Sequence, residues 1–225
     1  MTNSVGPEVI GRLKSLPLLK TFGITAFMCA FFAGYFATLK HPLFPVRMMP
    51  ETPVDDWIGY HPSLVGVYCS LWFYVLIPPA LTGRPRELLR FGAVAGALAL
   101  VGLAIFVAWP TKVATHGTGF LKAVDLGGNA CPSLHAAFAV FSAICTGRLL
   151  RRLNVPAVAT VLNWLWCAGI LYSTLATKQH VLIDLVAGSL LGWGITLWYG
   201  GPSPAYYTGA ENGSPAATAA SAARY

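Results

Sequence analysis

"FGAVAGALALVGLAIFVAWP", residues 91–110, runs for twenty positions without a charged side chain. A helix that is apolar on every side belongs in the core of a large protein or in a bilayer. About 20 apolar residues are enough to cross the hydrocarbon layer. The rest of the chain chooses between these. Five further apolar segments follow the same pattern, at roughly 21–39, 64–82, 132–147, 155–177 and 180–199, the one at 132–147 being the shortest. Of the 225 residues, 56% are hydrophobic and only 10% charged, against about 25% charged in an ordinary soluble domain. Too few polar side chains remain to clothe a water-soluble protein. The expected fold is all-α, a polytopic membrane bundle of six transmembrane helices. The expected organisation is an N-terminal arm over 1–20, a membrane domain over 21–200 and a disordered tail over 201–225, where small residues, Pro and Gly dominate.

The segment after Arg12, Lys14 and Lys20 resembles a signal peptide in its basic flank. It is too long for that role and no small-x-small cleavage site follows it, so it reads as a retained anchor. Five cysteines, at 29, 69, 131, 145 and 167, lie in or beside apolar segments without metal-type spacing. They read as small hydrophobes.

The net charge of +7 invites a nucleic-acid reading, but the basic residues sort by loop. Ten sit in the N-terminal arm, the 83–90 loop (Arg84, Arg86, Arg90), the 148–154 loop (Arg148, Arg151, Arg152) and the tail (Arg224). Five sit on the opposite side: Lys40, Arg47, Lys112, Lys122 and Lys178. The positive-inside rule then places both termini in the cytoplasm and the loops at 40–63, 111–131 and 178–179 outside. No nucleic-acid partner is called for.

Within the six segments Asp184 is the one acidic residue. A charge at a helix centre costs about 2.5–3.5 kcal/mol on insertion scales, so an idle one is not expected. His180 stands four residues earlier, on the same helix face. Side chains lean toward the helix N-terminus, which carries the carboxylate toward the ring. A carboxylate on one ring nitrogen fixes the tautomer and aims the other outward, as an activated nucleophile or base requires. A structural His–Asp pair tying helices together is the competing reading. "CPSLH", 131–135, opens the fourth segment with proline in the first turn. Its free N–H groups, with the Ser133 hydroxyl, form an anion site of the kind phosphate occupies, and His135 adjoins it. A phosphoryl group also needs cations around it; Lys112 and Lys178 lie on that side, as does Lys122. Arg84-Pro85 falls on the other face. His41, His61 and His116 lie on outward loops without partners. Trp109 and Trp198 suit interface anchors.

These residues resemble the type-2 phosphatidic acid phosphatase superfamily, whose motifs read K-x-x-x-x-x-x-R-P, P-S-G-H and S-R-x-x-x-x-x-H-x-x-x-D. The second appears as Pro132-Ser133-Leu134-His135, and the third as Ser173-Thr174 followed by His180 and Asp184 at the family spacing. The close match covers about 110–190. The resemblance implies a metal-independent phosphatase or phosphotransferase with no cofactor, acting on lipid phosphates among membrane lipids. His180 would form a phosphohistidine, Asp184 would orient it and His135 would protonate the leaving group. Ser133, Ser173, Lys112 and Lys178 would hold the phosphate. The first motif is missing, Thr174 stands where the family has arginine, and Leu134 replaces its glycine. Lysine reproduces a bidentate arginine grip poorly. "PSLH" with "KQHVLID" is most similar to the branch that includes inositol phosphorylceramide synthases. There an alcohol or polyol, in place of water, accepts the headgroup. The active site would face the periplasm, lumen or exterior.

Other readings of the same residues stay open. His135 and His180 would serve as axial ligands of a bis-histidine haem, although Asp184 then has no task. His180 with Asp184 would serve as a transporter's proton relay, with "VLIPPAL" as a broken segment. Two histidines and a carboxylate also make up a facial metal triad.

Overall fold

A computed structural model of the chain describes residues 5–114 and 128–199. His116, Lys122, Arg224 and the tail after Gly201 lie outside the described residues. In chain order the elements are α1 (Val5–Lys14), α2 (Pro17–Lys40), β1 (Arg47–Met48), α3 (Pro53–Ile58), α4 (Pro62–Leu81) and α5 (Pro85–Ala108). They continue with β2 (Thr111–Lys112), α6 (Leu134–Arg152), α7 (Ala157–Ala176) and α8 (Leu182–Tyr199). The fold is an all-helical bundle, as expected.

Among the described residues five helices, α2, α4, α5, α7 and α8, are long and apolar enough to cross a membrane. The expected count of six is therefore not matched, and the difference lies in α6. This helix carries Arg148, Arg151 and Arg152 in its last turns and buries Ser142 and Thr146. It can be this polar because it is the central post of the bundle. Twelve of its 19 residues are buried, with α5, α7, α8 and the lower part of α4 packed around it. A helix sheathed by other helices presents little surface to lipid, so its composition is freed from the hydropathy a lipid-facing helix needs.

Two other boundaries move. The third apolar segment begins at Pro85, not near 91. Proline suits the first helical turn, and the shift brings Glu87 inside a helix as a second acidic residue, at its N-terminal end, where the macrodipole favours it. The Arg84-Pro85 pair is this helix start. Within α4 the chain breaks into a 3₁₀ turn at Pro62–Leu64 and short helices at Val65–Cys69, Leu71–Tyr74 and Ile77–Leu81. Pro78 and Pro79 lack the N–H that a continuous helix would use.

Three arginines from the loops assigned to one face do meet at one end of the bundle. Arg12 Nη1 donates to the Leu81 carbonyl at 3.4 Å, Arg90 Nη2 to the Tyr199 carbonyl at 2.8 Å, and Arg148 Nη1 to the Thr196 carbonyl at 3.3 Å. His135, at the opposite end of α6 from Arg148, lies at the other end.

In lipid, helices gain nothing by hiding apolar area from each other, and association rests on close packing and interhelical hydrogen bonds. The α6–α8 contact shows this directly. The buried face of α8 is Asp184, Gly188, Gly192, Thr196 and Tyr199, mostly at four-residue spacing. A Cβ added at Gly188 would stand 2.1 Å from the Ser133 carbonyl oxygen, and one at Gly192 would stand 2.2 Å from that of Ala137. The two backbones touch, and only glycine permits it.

Candidate active site

The loop that carries His180 is built by the end of α7. Lys178 N–H donates to the Leu175 carbonyl at 3.0 Å and Gln179 N–H to the Thr174 carbonyl at 3.1 Å. Lys178 itself has φ 55°, in the left-handed region. This is the two-bond helix ending in which glycine usually holds the left-handed position. It reverses the chain and delivers His180 two residues before α8 begins, not on its first turn as the i, i+4 argument assumed. Asp184 still reaches back. Its Oδ2 accepts from the Val181 N–H at 3.2 Å and lies 3.6 Å from His180 Nδ1. That distance is ion-pair range but longer than a hydrogen bond; such catalytic contacts commonly tighten only when substrate is bound. Asp184 is fully buried and the His180 side chain is 11% exposed.

His135 sits in the first turn of α6 behind its cap, where Ser133 Oγ accepts from the Ala136 N–H at 3.2 Å. The ring lies flat on Tyr68 of α4, with centroids 4.0 Å apart and planes at 7°, and edge-on to Trp72 at 6.4 Å. Its Nε2 is buried without a hydrogen-bond partner among the described residues. His135 and His180 both line one cavity of about 500 Å³. A single main-chain bond sets their register: Ser133 N–H donates to the Asp184 carbonyl at 3.0 Å, tying the start of α6 to the first turn of α8.

The other expected residues are placed differently. The Ser133 hydroxyl is committed to capping, and the residue is completely buried. Two of the N–H groups assigned to an anion already have partners, Cys131 on Thr111 Oγ1 at 2.8 Å and Ser133 on Asp184. Ser173 is buried and donates to the Ile170 carbonyl at 2.7 Å. Lys112 is exposed on β2, paired with Met48 across a two-stranded parallel ladder. Lys178 Nζ donates to the Asp55 carbonyl oxygen. Neither lysine is among the residues that line the cavity.

Three residues with parts in this arrangement escaped the sequence reading. Asp55 on α3 is 3% exposed. Its Oδ1 accepts from the Leu182 N–H at 2.8 Å and its Oδ2 from Thr52 N–H and Oγ1, both at 2.8 Å, so it pins the start of α8. The signal available was "TPVD", a capping box in the loop before α4, but nothing in it names Leu182 as a further partner. Asn129 donates Nδ2 to the Tyr35 carbonyl at 2.9 Å and to Thr38 Oγ1 at 3.0 Å, and lines the cavity with a buried Oδ1 that has no partner among the described residues. Cys131 is more than a small hydrophobe: it stands near the Asp184 carboxylate, just before α6. Burial first, then the charge of Asp184, push its thiol up to about 12. All five cysteines are free.

The sequence model of the PAP2 superfamily matches residues 93–200, a stretch that contains His135, His180 and Asp184. No curated protein and no solved structure matches the chain.

Proposed function

We propose that the chain is a membrane enzyme of the PAP2 superfamily, a phosphatase or phosphotransferase that works on lipid phosphates through a phosphohistidine. The observation that carries this reading is the meeting of two imidazoles on one cavity wall with a buried carboxylate behind one of them. Members of the matched superfamily are phosphatases or phosphotransferases.

In this reading Asp184 faces Nδ1 of His180 and leaves Nε2 as the attacking nitrogen. Nε2 displaces the alkoxide oxygen of the substrate in line at phosphorus. His135 Nε2, which has no partner among the described residues, gives that oxygen its proton. The deprotonated His135 then takes a proton from the acceptor, whose oxygen attacks the phosphohistidine. Positioned acid–base groups of this kind contribute about 10²–10⁴-fold each. Asn129 Oδ1, an acceptor at the same cavity, suits a hydroxyl better than a phosphate oxyanion. It favours an acceptor with O–H groups, water or an alcohol or polyol as in the inositol phosphorylceramide synthase-like branch. The termini are assigned to the cytoplasm, because the arginine-rich end of the bundle is the one the positive-inside rule holds there. The site then opens on the outer face.

The test is a panel of lipid phosphates given to purified protein, with and without alcohols, separating free phosphate from transferred headgroup. Wild type retains a radiolabelled phosphoryl group during turnover. His180→Ala retains none and is inactive, and His135→Ala is nearly inactive with its fold intact. Full turnover by His180→Ala refutes the nucleophile.

A further inference from the structure

The cavity at the two histidines does not end there. Its wall runs down α2 from Tyr35 to Leu19, and correspondingly down α4 to Pro79 and along α5 to Leu88. Leu19 and Tyr35 are 16 residues apart on one helix, so the cavity is roughly 24 Å long at 1.5 Å per residue. Its polar side chains gather at the histidine end, Asn129 among them, and the remainder of the wall is apolar save for Ser142. Next to Leu19 and Pro79 at its far end, Lys20 Nζ donates to the Arg12 carbonyl at 2.6 Å and to the Ala80 carbonyl at 2.8 Å, joining α1, α2 and the foot of α4.

We propose that this cavity takes one hydrocarbon chain of the lipid phosphate, a chain longer than a single leaflet is deep, and that the glycines at its foot set how long that chain is. The proposal rests on the phosphoryl-transfer reading above for the chemistry of the head and on the cavity alone for the tail. A head group at the histidines leaves the chain with the apolar wall as its partner. The hydrocarbon core is about 30 Å thick, so a leaflet is about half that, and a cavity of roughly 24 Å reaches well beyond it. The cavity holds about 500 Å³ and keeps an apolar wall along that length. Gly23 on α2 and Gly92 on α5 both line its lower part, and a Cβ at either would meet nothing within 4 Å. Neither glycine is therefore demanded by a close helix contact, and both border the cavity. Glycine costs a helix about 1 kcal/mol relative to alanine, which leaves open space for the ligand as what these positions gain.

The experiment fills that space. Hexyl-, dodecyl-, hexadecyl- and eicosylphosphonate, whose carbon–phosphorus bond cannot be hydrolysed, are titrated calorimetrically into full-length protein in nanodiscs. The corresponding alkyl phosphates are assayed for phosphate release and for transfer to an added alcohol or polyol. Wild-type affinity rises from hexyl to eicosyl. In Gly92→Phe and Gly23→Phe the two longest ligands lose about ten-fold in affinity, the scale of an overpacked site, while hexylphosphonate binds within about two-fold of wild type. Gly92→Ala and Gly23→Ala, which leave most of the space, keep the wild-type order and show that the backbone tolerates a Cβ. A length preference that survives both phenylalanines, or that never appears in wild type, overturns the chain-gauge proposal. Binding as expected, with neither phosphate released nor a phosphoryl group passed to an added alcohol or polyol from any alkyl phosphate, leaves the gauge standing and refutes the phosphoryl-transfer reading.

Discussion

Alanine at Gly188 is the sharpest test of how the site is registered. The added Cβ would lie 2.1 Å from the Ser133 carbonyl oxygen and 2.9 Å from its carbonyl carbon, and Cβ atoms essentially never approach closer than 3.0 Å. The shortfall is 3.0 − 2.1 = 0.9 Å, and because backbone meets backbone no rotamer can absorb it. Helix α8 must back away from α6 by about that amount. The Ser133–Asp184 main-chain bond, 3.0 Å long, crosses the same interface and is stretched with it. Forced overpacking costs about 1–3 kcal/mol, and a 1 Å misplacement of reacting groups costs about 10²-fold in rate. Gly188→Ala is therefore expected to melt several degrees lower and to turn over lipid phosphate about two orders of magnitude more slowly, with Gly192→Ala close behind. Gly194, on the same helix, has nothing within 4 Å of an added Cβ. Gly194→Ala should be as active as wild type and no less stable, since alanine is the better helix former. The measurements are turnover and thermal unfolding in one detergent. Gly188→Ala with wild-type rate and melting temperature refutes the argument that these glycines set the histidine register.

Two further outcomes follow from residues around the same loop. Asp55→Ala frees the Leu182 N–H and both Thr52 donors while leaving every cavity-lining side chain in place. Losing a buried acceptor of this kind costs about 1–3 kcal/mol, and hydrogen exchange should quicken at 178–183 while turnover falls; unchanged exchange there would sink the pinning role. Cys131, pushed up to about 12, stays a neutral thiol well above the pH at which an ordinary thiol ionises. Alkylation at pH about 8.5, read by peptide mass spectrometry, should spare Cys131 in the folded protein and mark it once the chain is unfolded in denaturant. The linkage sign follows from the raised value. This group's contribution to stability is complete below the ordinary thiol value of 9.0 and is lost as pH rises toward about 12. Cys131→Ser should flatten that alkaline decline, and an unaltered pH–stability curve counts against the assignment.

The membrane bundle was legible because its cause is local. Long runs without charge need no partner to announce that they belong in lipid, and loop arginines sort by face on counts alone. His135, His180 and Asp184 stand out in the sequence for a related reason: ionisable groups are expensive in such segments, and few are present. Local composition misjudged α6, whose neighbours relieve it of the need to be apolar. Nor does composition reveal the partners of Ser133 and Lys178, whose hydrogen-bonding groups meet Ala136 and Asp55.

What the tertiary structure alone decided is distance between segments remote in sequence. Gly188 and Gly192 look like ordinary small residues until α8 is laid on α6. Asp55 lies 127 positions from the N–H it holds. The cavity has walls from α2, α4, α5 and α6, and no single stretch describes it. The sequence by itself determined which residues are too costly in a bilayer to be idle, because that cost is a property of each residue and its medium. Where those residues meet, and how much room lies below them, depends on sub-ångström fits between helices, which only the assembled bundle contains.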